Sequence, residues 1–212
     1  MLKVLSTKFE DCDVIVADVE PLMDEQTFLR MLLTVSPERQ RKARRYKFPK
    51  GKALSLGAAL ALDKLLQRRG LRERDQRYLM GKHGKPSLVD HPKIHFSISH
   101  TSHFVACAMA DCEVGIDIQH TVDANEPLMR RVLSDDEMEM VMDRQGEERQ
   151  MLFARLWALK EAYLKAVGTG ITDDFPSFSL ENDKPRLVNR QGFFLFREFD
   201  FPEGKGALCI VD

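Results

Sequence analysis

The sequence has no long apolar run and no excess of charge of either sign. Its longest nearly apolar stretch, 54–62, is about half of what spans a bilayer, which argues against a transmembrane helix. The N-terminal residues lack the apolar stretch and cleavage signal of a secretory leader. With 32 basic and 33 acidic residues the net charge is −1, which argues against a general nucleic-acid binder. We therefore expect a cytoplasmic, globular protein without a membrane-bound part.

Cysteine and histidine patterns typical of disulfide frameworks or zinc sites are also missing. The four cysteines show no CxxC spacing and mostly lie in apolar runs, as small core residues do. His95, His100 and His103 lie close together, but the sequence contains no HExxH pattern. We therefore expect a reduced protein with no zinc.

Helix and strand patterns alternate along the chain. Ser36 followed by Pro37 suits a helix N-cap and first turn, and Ser134 with Glu137 forms a capping-box pattern. Strands are predicted over 12–20, 94–99, 104–110, 114–119, 177–180, 192–199 and 206–211. Helices are predicted over 24–35, from Ser36, over 52–69 and over 147–167.

These elements recur in two halves, roughly residues 1–112 and 113–212. The three central strands, 94–99, 104–110 and 114–119, predict an antiparallel meander because only short turns separate them. The whole pattern predicts an α+β fold in which both halves combine helices with antiparallel sheet.

The segment Val-Gly-Ile-Asp-Ile-Gln, which ends at Gln119, combines a buried pattern with oxygen-bearing side chains. On a strand, Ile116 and Ile118 face one side of the sheet. Asp117 and Gln119 then face the other side together with Gly115, which permits a close backbone approach. Two oxygen-bearing side chains at this spacing suit part of a Mg²⁺ shell. A strand with a merely polar outer face is the alternative.

The segment Trp-Ala-Leu-Lys-Glu-Ala-Tyr-Leu-Lys, which ends at Lys165, lies on an amphipathic helix. Its apolar stripe consists of Leu152, Leu156, Leu159, Tyr163, Leu164 and Val167. Glu161 and Lys165 are four residues apart at the edge, where a surface ion pair is the simplest interpretation. Lys160 falls near the middle of the stripe, which indicates a buried anionic partner or a snorkelling stem.

Two further segments suggest phosphate binding. Residues 39–52 contain eight Lys or Arg and no acid, which is typical of a solvated helix face or of a surface that binds phosphates. Lys85 lies in a Gly-Lys-Pro turn. Ser99 and His100 follow at the end of a strand, where adjacent side chains point to opposite faces and cannot act as nucleophile and base. A histidine at a strand exit either donates to a phosphate or is structural.

The order of these motifs resembles the Sfp-type 4′-phosphopantetheinyl transferase family. The motifs are GKP, ISHT, VGIDIQ and WALKEAYLK, and the resemblance extends from about Ser36 to about Glu181. Its diagnostic part is the pair GxDxx and WxxKExxxK, about forty residues apart. The resemblance implies transfer of the 4′-phosphopantetheine group of coenzyme A to a serine of an apo acyl or peptidyl carrier protein, with Mg²⁺ and release of adenosine 3′,5′-bisphosphate.

The family pattern also implies roles for individual residues. Asp117, Gln119 and Glu161 match the metal ligands, although many family members have an acid in place of Gln119. Glu161 is the candidate for activating the carrier serine, Lys165 contacts the diphosphate, and Glu137 lies near a metal-bound water. The residues that match positions holding phosphates of coenzyme A are Arg39, Lys42, Lys85, Ser99 and His100, the first two at the 3′-phosphate.

The same resemblance implies a pseudo-dimer of two subdomains, each a small antiparallel sheet with packed helices. Subdomain 1–112 is expected to contact the phosphates of coenzyme A, and subdomain 113–212 to supply the metal and catalytic residues. We expect a monomer that binds no nucleic acid and no membrane. Two alternatives stay open: a catalytically impaired homologue that binds coenzyme A or a carrier, and a nucleic-acid-binding module built on residues 39–52.

Overall fold

The computed structural model describes residues 3–9, 12–121, 126–170 and 174–211. The chain divides into two compact units, Met1–Cys112 and Glu113–Asp212. Each unit contains an antiparallel sheet with a long helix packed against it. The prediction of an α+β fold with two similar halves is confirmed.

The first unit is built on a four-stranded sheet. Its strands within the described residues are β1 (Lys3–Phe9), β2 (Cys12–Asp18), β3 (Tyr78–Met80), β4 (Pro86–Leu88), β5 (His95–Thr101) and β6 (Phe104–Ala110). Its helices are α1 (Glu25–Leu32), α2 (Pro37–Arg45) and α3 (Pro49–Arg68). The sheet order is β1-β2-β6-β5 with antiparallel neighbours, and β3 and β4 form a separate hairpin.

Local signals in the sequence account for the helices of the first unit. The Ser36 side chain accepts a hydrogen bond from the backbone N–H of Arg39 and caps α2, as predicted. Helix α3 begins at Pro49, which fits the first turn because a proline there loses no needed hydrogen bond. Leu62 of α3 is buried in the same core as Cys107 of β6. The helix therefore covers one face of the sheet with its apolar side.

The second unit repeats this arrangement with a three-stranded sheet. In the part that the structure describes, its strands are β7 (Val114–His120), β8 (Phe178–Glu181), β9 (Lys184–Leu187), β10 (Phe194–Phe201) and β11 (Gly204–Val211). Its helices are α4 (Glu126–Val132), α5 (Asp135–Met142) and α6 (Gly146–Val167). The sheet order is β10-β11-β7, and β8 and β9 form a hairpin.

The long helix α6 packs on β7 and β11. Its residues Leu156 and Leu159 share a core with Cys209 of β11, and Gly168 ends the helix in the left-handed conformation, with φ 73°. The predicted range of this helix, 147–167, agrees with the observed range to within one residue at both ends. No helix within the described ranges is long and apolar enough to cross a membrane.

The predicted central meander is wrong in its third strand. Strands β5 and β6 pair as expected, but β7 belongs to the other unit and pairs with β11, with Asp117 opposite Ala207. Alternation of apolar and polar residues identifies a strand and its faces without identifying its neighbour. The partner of β7 follows it by more than eighty residues in the chain, so no short-range signal could reveal it.

Candidate active site

Strand β7 and helix α6 lie in direct contact at a glycine. A Cβ atom on Gly115 would lie 2.0 Å from the carbonyl oxygen of Ala162 and 2.4 Å from the backbone nitrogen of Ala166. Because the strand alternates, the face that carries Gly115 also carries Asp117, which is only 2% exposed. The acidic side of β7 is thus buried beneath α6 and is not a polar outer face.

Replacing Gly115 with alanine is expected to destabilise the second unit. The added methyl group meets helix backbone, which cannot rotate away, so α6 must shift. Overpacking of this kind typically costs about 1–3 kcal/mol. Urea unfolding followed by circular dichroism measures the loss. An unchanged midpoint and slope would contradict the close packing of α6 on β7.

The carboxylate of Asp117 is held by two neighbours. Lys165 Nζ lies 2.5 Å from its Oδ1, and Gln119 Nε2 donates to its Oδ2 at 2.6 Å. Lys165 therefore forms its ion pair with a residue of β7, which differs from the simple i, i+4 surface pair with Glu161. The three side chains that the sequence singled out on β7 and at the end of α6 lie together.

Glu161 lies beside this group, with its side chain directed into the buried part of the unit. It is 7% exposed, and its Oε1 accepts no hydrogen bond within the described part of the chain. Burial raises the pKa of Glu161, the charge of Asp117 raises this pKa further, and Lys165 opposes both effects. A buried carboxylate oxygen without a donor, close to a second carboxylate, matches the oxygen-rich environment that a divalent cation requires.

Lys160, one residue before Glu161, pairs with a buried acid. Its Nζ lies 2.6 Å from Oε2 of Glu137, and both side chains are fully buried. The ammonium also donates to the carbonyl oxygen of Pro176. Burial lowers the pKa of Lys160, and the adjacent Glu137 charge counteracts this effect. The prediction of a buried anionic partner is confirmed.

Glu137 accepts hydrogen bonds from two backbone groups besides its pair with Lys160, and its expected place near a metal-bound water stays a prediction. It completes the predicted capping box of α5 by accepting from the backbone N–H of Ser134 at 2.8 Å. Its other oxygen accepts from the backbone N–H of Phe178, also at 2.8 Å. With Lys160 as the third donor, both oxygens are occupied, so Glu137 joins α5, α6 and the start of β8.

In the first unit, three of the predicted phosphate-binding residues line one pocket. Arg39, Lys42 and His100 border a cavity of about 290 Å³. Lys85 is half-buried in the turn between β3 and β4, next to two residues that line the same cavity. Ser99 is buried on the opposite face of β5 from His100, because neighbouring strand residues alternate.

Sequence reasoning missed two residues at this pocket. Tyr78 lines it, and the Arg39 guanidinium lies over the Tyr78 ring at 4.7 Å from the centroid. Glu73 is fully buried next to both. Glu73 lies in the strongly charged run Arg-Glu-Arg-Asp, where nothing in the local pattern distinguishes a buried acid from exposed ones.

Comparison with known proteins agrees with this geometry. Residues 113–203, which include the β7–α6 cluster, match a family model described as the 4′-phosphopantetheinyl transferase superfamily. The chain is 31% identical over 161 residues to 4′-phosphopantetheinyl transferase Sfp of Bacillus subtilis (strain 168), covering 76% of this chain and 71% of that protein. It is 29% identical over 167 residues to 4′-phosphopantetheinyl transferase gsp of Aneurinibacillus migulanus, covering 78% and 70%.

A similarity of this extent defines a class of transferases. The chain belongs to the 4′-phosphopantetheinyl transferase superfamily. The family predicted from the order of the sequence motifs is therefore confirmed, as is the class of enzyme.

Proposed function

We propose that the protein transfers the 4′-phosphopantetheine group of coenzyme A to a serine hydroxyl of an apo carrier protein. A bond forms between the serine oxygen and the phosphorus that bears the pantetheine. The diphosphate bridge breaks, and adenosine 3′,5′-bisphosphate leaves. The observation that carries the proposal is the cluster of buried Asp117 and Glu161 with partly exposed Lys165 on β7 and α6, in a chain that belongs to this transferase family.

The cluster fits Mg²⁺ by the chemistry of its donors. Asp117 and Glu161 offer carboxylate oxygens, and Glu161 Oε1 accepts no hydrogen bond among the described residues. Gln119 donates its amide N–H to Asp117, which leaves its amide oxygen for another partner. Asp117, Glu161 and Gln119 would hold the ion, with a water as the alternative to the amide. Bound Mg²⁺ neutralises charge on a diphosphate.

Glu161 and Lys165 are the proposed catalytic residues. A serine hydroxyl is a weak nucleophile until a base within hydrogen-bond reach accepts its proton, and Glu161 takes this role. The Lys165 ammonium supplies positive charge for the diphosphate as the bridge breaks.

The first unit is proposed to bind the phosphates of coenzyme A. Arg39, Lys42 and His100 line its pocket and supply cationic or hydrogen-bonding groups. Lys85 lies close to the same pocket. Ser99 stays a prediction, since its side chain lies on the other face of β5.

One experiment tests the function. The protein is incubated with coenzyme A, Mg²⁺ and an apo carrier protein, and the carrier is weighed by mass spectrometry. A phosphopantetheine increment on the carrier is expected. A missing increment, with coenzyme A still bound, would instead indicate a binding protein without transferase activity.

Gln119→Ala is expected to raise the Mg²⁺ concentration needed for half-maximal transfer and to leave the rate at saturating Mg²⁺ unchanged. An amide contributes no charge to the ion, so a water replaces it at modest cost. Gln119→Glu is expected to lower the Mg²⁺ requirement. Magnesium titration of the transfer rate measures both, and Gln191→Ala, an exposed glutamine of the same unit, is the control. A collapse of the saturating rate in Gln119→Ala would contradict this minor role.

The remaining proposals concern the setting of the reaction. We propose a cytoplasmic monomer that binds coenzyme A and an apo acyl or peptidyl carrier protein of fatty-acid, polyketide or nonribosomal peptide synthesis, and that binds no nucleic acid. Light scattering of the purified protein tests the monomer. Transfer assays with one apo carrier from each pathway test the partner.

A further inference from the structure

A buried carboxylate holds one of the cationic side chains of the pocket in the first unit. Glu73 is 0% exposed, and its Oε1 lies 3.5 Å from Nε of Arg39. The same guanidinium lies over the Tyr78 ring. Arg39 is therefore fixed by a carboxylate at its Nε edge and by an aromatic ring against its plane, and its side chain is only 13% exposed.

Glu73 is itself fixed by hydrogen bonds from different parts of the unit. Its Oε2 accepts from the backbone N–H of Ser36 at 2.8 Å. Its Oε1 accepts from the Ser36 hydroxyl and from the Tyr78 hydroxyl, each at 3.0 Å. The backbone N–H of Glu73 donates to Asp63 Oδ1 at 2.8 Å. A carboxylate with this many partners cannot move independently of the fold.

We propose that Glu73 is a positioning residue that orients Arg39 to bind the 3′-phosphate of coenzyme A. This inference rests on the proposed function, because it takes the pocket of Arg39, Lys42 and His100 as the phosphate site. The ion-pair contact of 3.5 Å lies at the Nε edge of the guanidinium, which carries five N–H donors in all. Donors therefore remain for a phosphate, which arginine recognises through paired hydrogen bonds.

Whether a neutral residue at position 73 raises or lowers phosphate affinity distinguishes two explanations, orientation of Arg39 and the overall charge of the pocket. Glu73 carries a negative charge next to a site proposed for an anion, so removing that charge makes the pocket more positive. If the potential alone mattered, a neutral residue at this position would strengthen phosphate binding. If Glu73 orients Arg39, the neutral residue weakens binding.

Glu73→Gln isolates the contact with Arg39. The amide oxygen of the new side chain has to face the backbone N–H of Ser36, because that group only donates. The amide nitrogen then occupies the place of Oε1, where the hydroxyls of Ser36 and Tyr78 can reverse and accept from it. Only Arg39, which has no acceptor, loses its partner.

The test is calorimetric binding of adenosine 3′,5′-bisphosphate and of 5′-AMP, without Mg²⁺ or carrier protein. Glu73→Gln is expected to weaken binding of the bisphosphate about tenfold, the order expected for one charge-assisted hydrogen bond. Binding of 5′-AMP, which lacks the 3′-phosphate, is expected to be unchanged. Glu73→Asp keeps the charge but withdraws the carboxylate by one methylene, and is expected to weaken bisphosphate binding in the same direction.

A double-mutant cycle shows whether Glu73 acts through Arg39. In an Arg39→Ala background, Glu73→Gln is expected to cause no further loss of bisphosphate affinity. Asp90→Asn is the matched control, because Asp90 forms an arginine pair with Arg77, 2.5 Å apart, on the surface. It is expected to bind both nucleotides as the unaltered protein does.

Three results would overturn the inference. Equal or tighter bisphosphate binding by Glu73→Gln would show that orientation is not limiting. A full additional loss in the Arg39→Ala background would show that Glu73 supports the fold rather than Arg39. If the unaltered protein bound the bisphosphate no better than 5′-AMP, the phosphate site of the proposed function would fail together with the role of Glu73. The first two results leave the proposed function intact.

Discussion

Replacing Glu161 with glutamine is expected to lower the rate of phosphopantetheine transfer at least about a thousandfold, within the range lost with a general base. Glutamine keeps the shape of the side chain but cannot accept the serine proton, and it brings no charge to a cation. The rate is measured by mass spectrometry of the carrier at saturating coenzyme A and Mg²⁺. Asp117→Ala is expected to abolish transfer in the same way, because it removes the other carboxylate of the cluster.

The same Glu161 substitution is expected to leave the fold intact or to stabilise it. Burial and the Asp117 charge raise the pKa of Glu161 above its value in the unfolded chain. The protonated form is thus favoured in the folded state, and the folded state loses stability as the pH rises through the raised pKa. In Mg²⁺-free buffer, the stability of the unaltered protein relative to Glu161→Gln should fall as the pH rises above the ordinary glutamate pKa of about 4.

Glu148→Gln is the matched control for this experiment. Glu148 lies on the same helix but is exposed in its first turn, so its variant should keep full activity and a normal pH dependence. Retention of activity by Glu161→Gln would contradict the proposed mechanism. If Glu161→Gln lost both activity and fold, its stability could not be compared with that of the unaltered protein. The pH dependence of stability would then no longer support the buried cluster.

The components of this site could be found from the sequence, whereas their pairing could not. Spacing placed Asp117 and Gln119 on one strand face and Glu161 and Lys165 on one helix edge, because both periodicities are local. The same local rule paired Lys165 with Glu161. The structure pairs Lys165 with Asp117, 48 residues away along the chain, because Gly115 lets α6 approach β7 closely.

The same limit applies to the fold: elements set by short-range patterns could be predicted, whereas pairings between distant segments could not. The capping box at Ser134 is a short-range pattern and is present as predicted, and Gly168 follows directly on the predicted end of α6 at residue 167. The partner of β7 is not predictable by such patterns, since β11 is separated from it by several other elements. The hairpin strands β3 and β4 have three residues each, too few for alternation to identify them.

Lys160 is a charged residue in an apolar helix stripe, and this unfavourable position predicts a buried contact without identifying the partner. A lysine in an apolar stripe requires a buried anion or an escape to solvent. The structure provides Glu137, whose two oxygens also accept from backbone N–H groups of Ser134 and Phe178. Glu137 lies in the first turn of α5, and Lys160 directly precedes Glu161 on α6. The ion pair therefore joins these two helices next to the proposed base.

Lys160→Met is expected to lower the free energy of unfolding by about 3–5 kcal/mol, the cost of removing one partner from a buried ion pair. The methionine fills the volume of the lysine stem, but Glu137 keeps its charge in a fully buried position with only two backbone donors. A loss of this size is a large part of the total stability of a typical domain. Urea and thermal unfolding measure it.

Arg130→Met is the control for Lys160→Met, because it removes one partner of the exposed pair between Arg130 and Glu126 in the same unit. Such a surface pair is worth at most about 1 kcal/mol. The double variant Lys160→Met/Glu137→Gln should lose less stability than the sum of the single variants, since the second change neutralises the charge that the first leaves unpaired. Suppose Lys160→Met lowered the free energy of unfolding no more than Arg130→Met does. The buried pair would then not be what holds α6 in place, and the position of Glu161 would depend on the contact of Gly115 with the helix backbone instead.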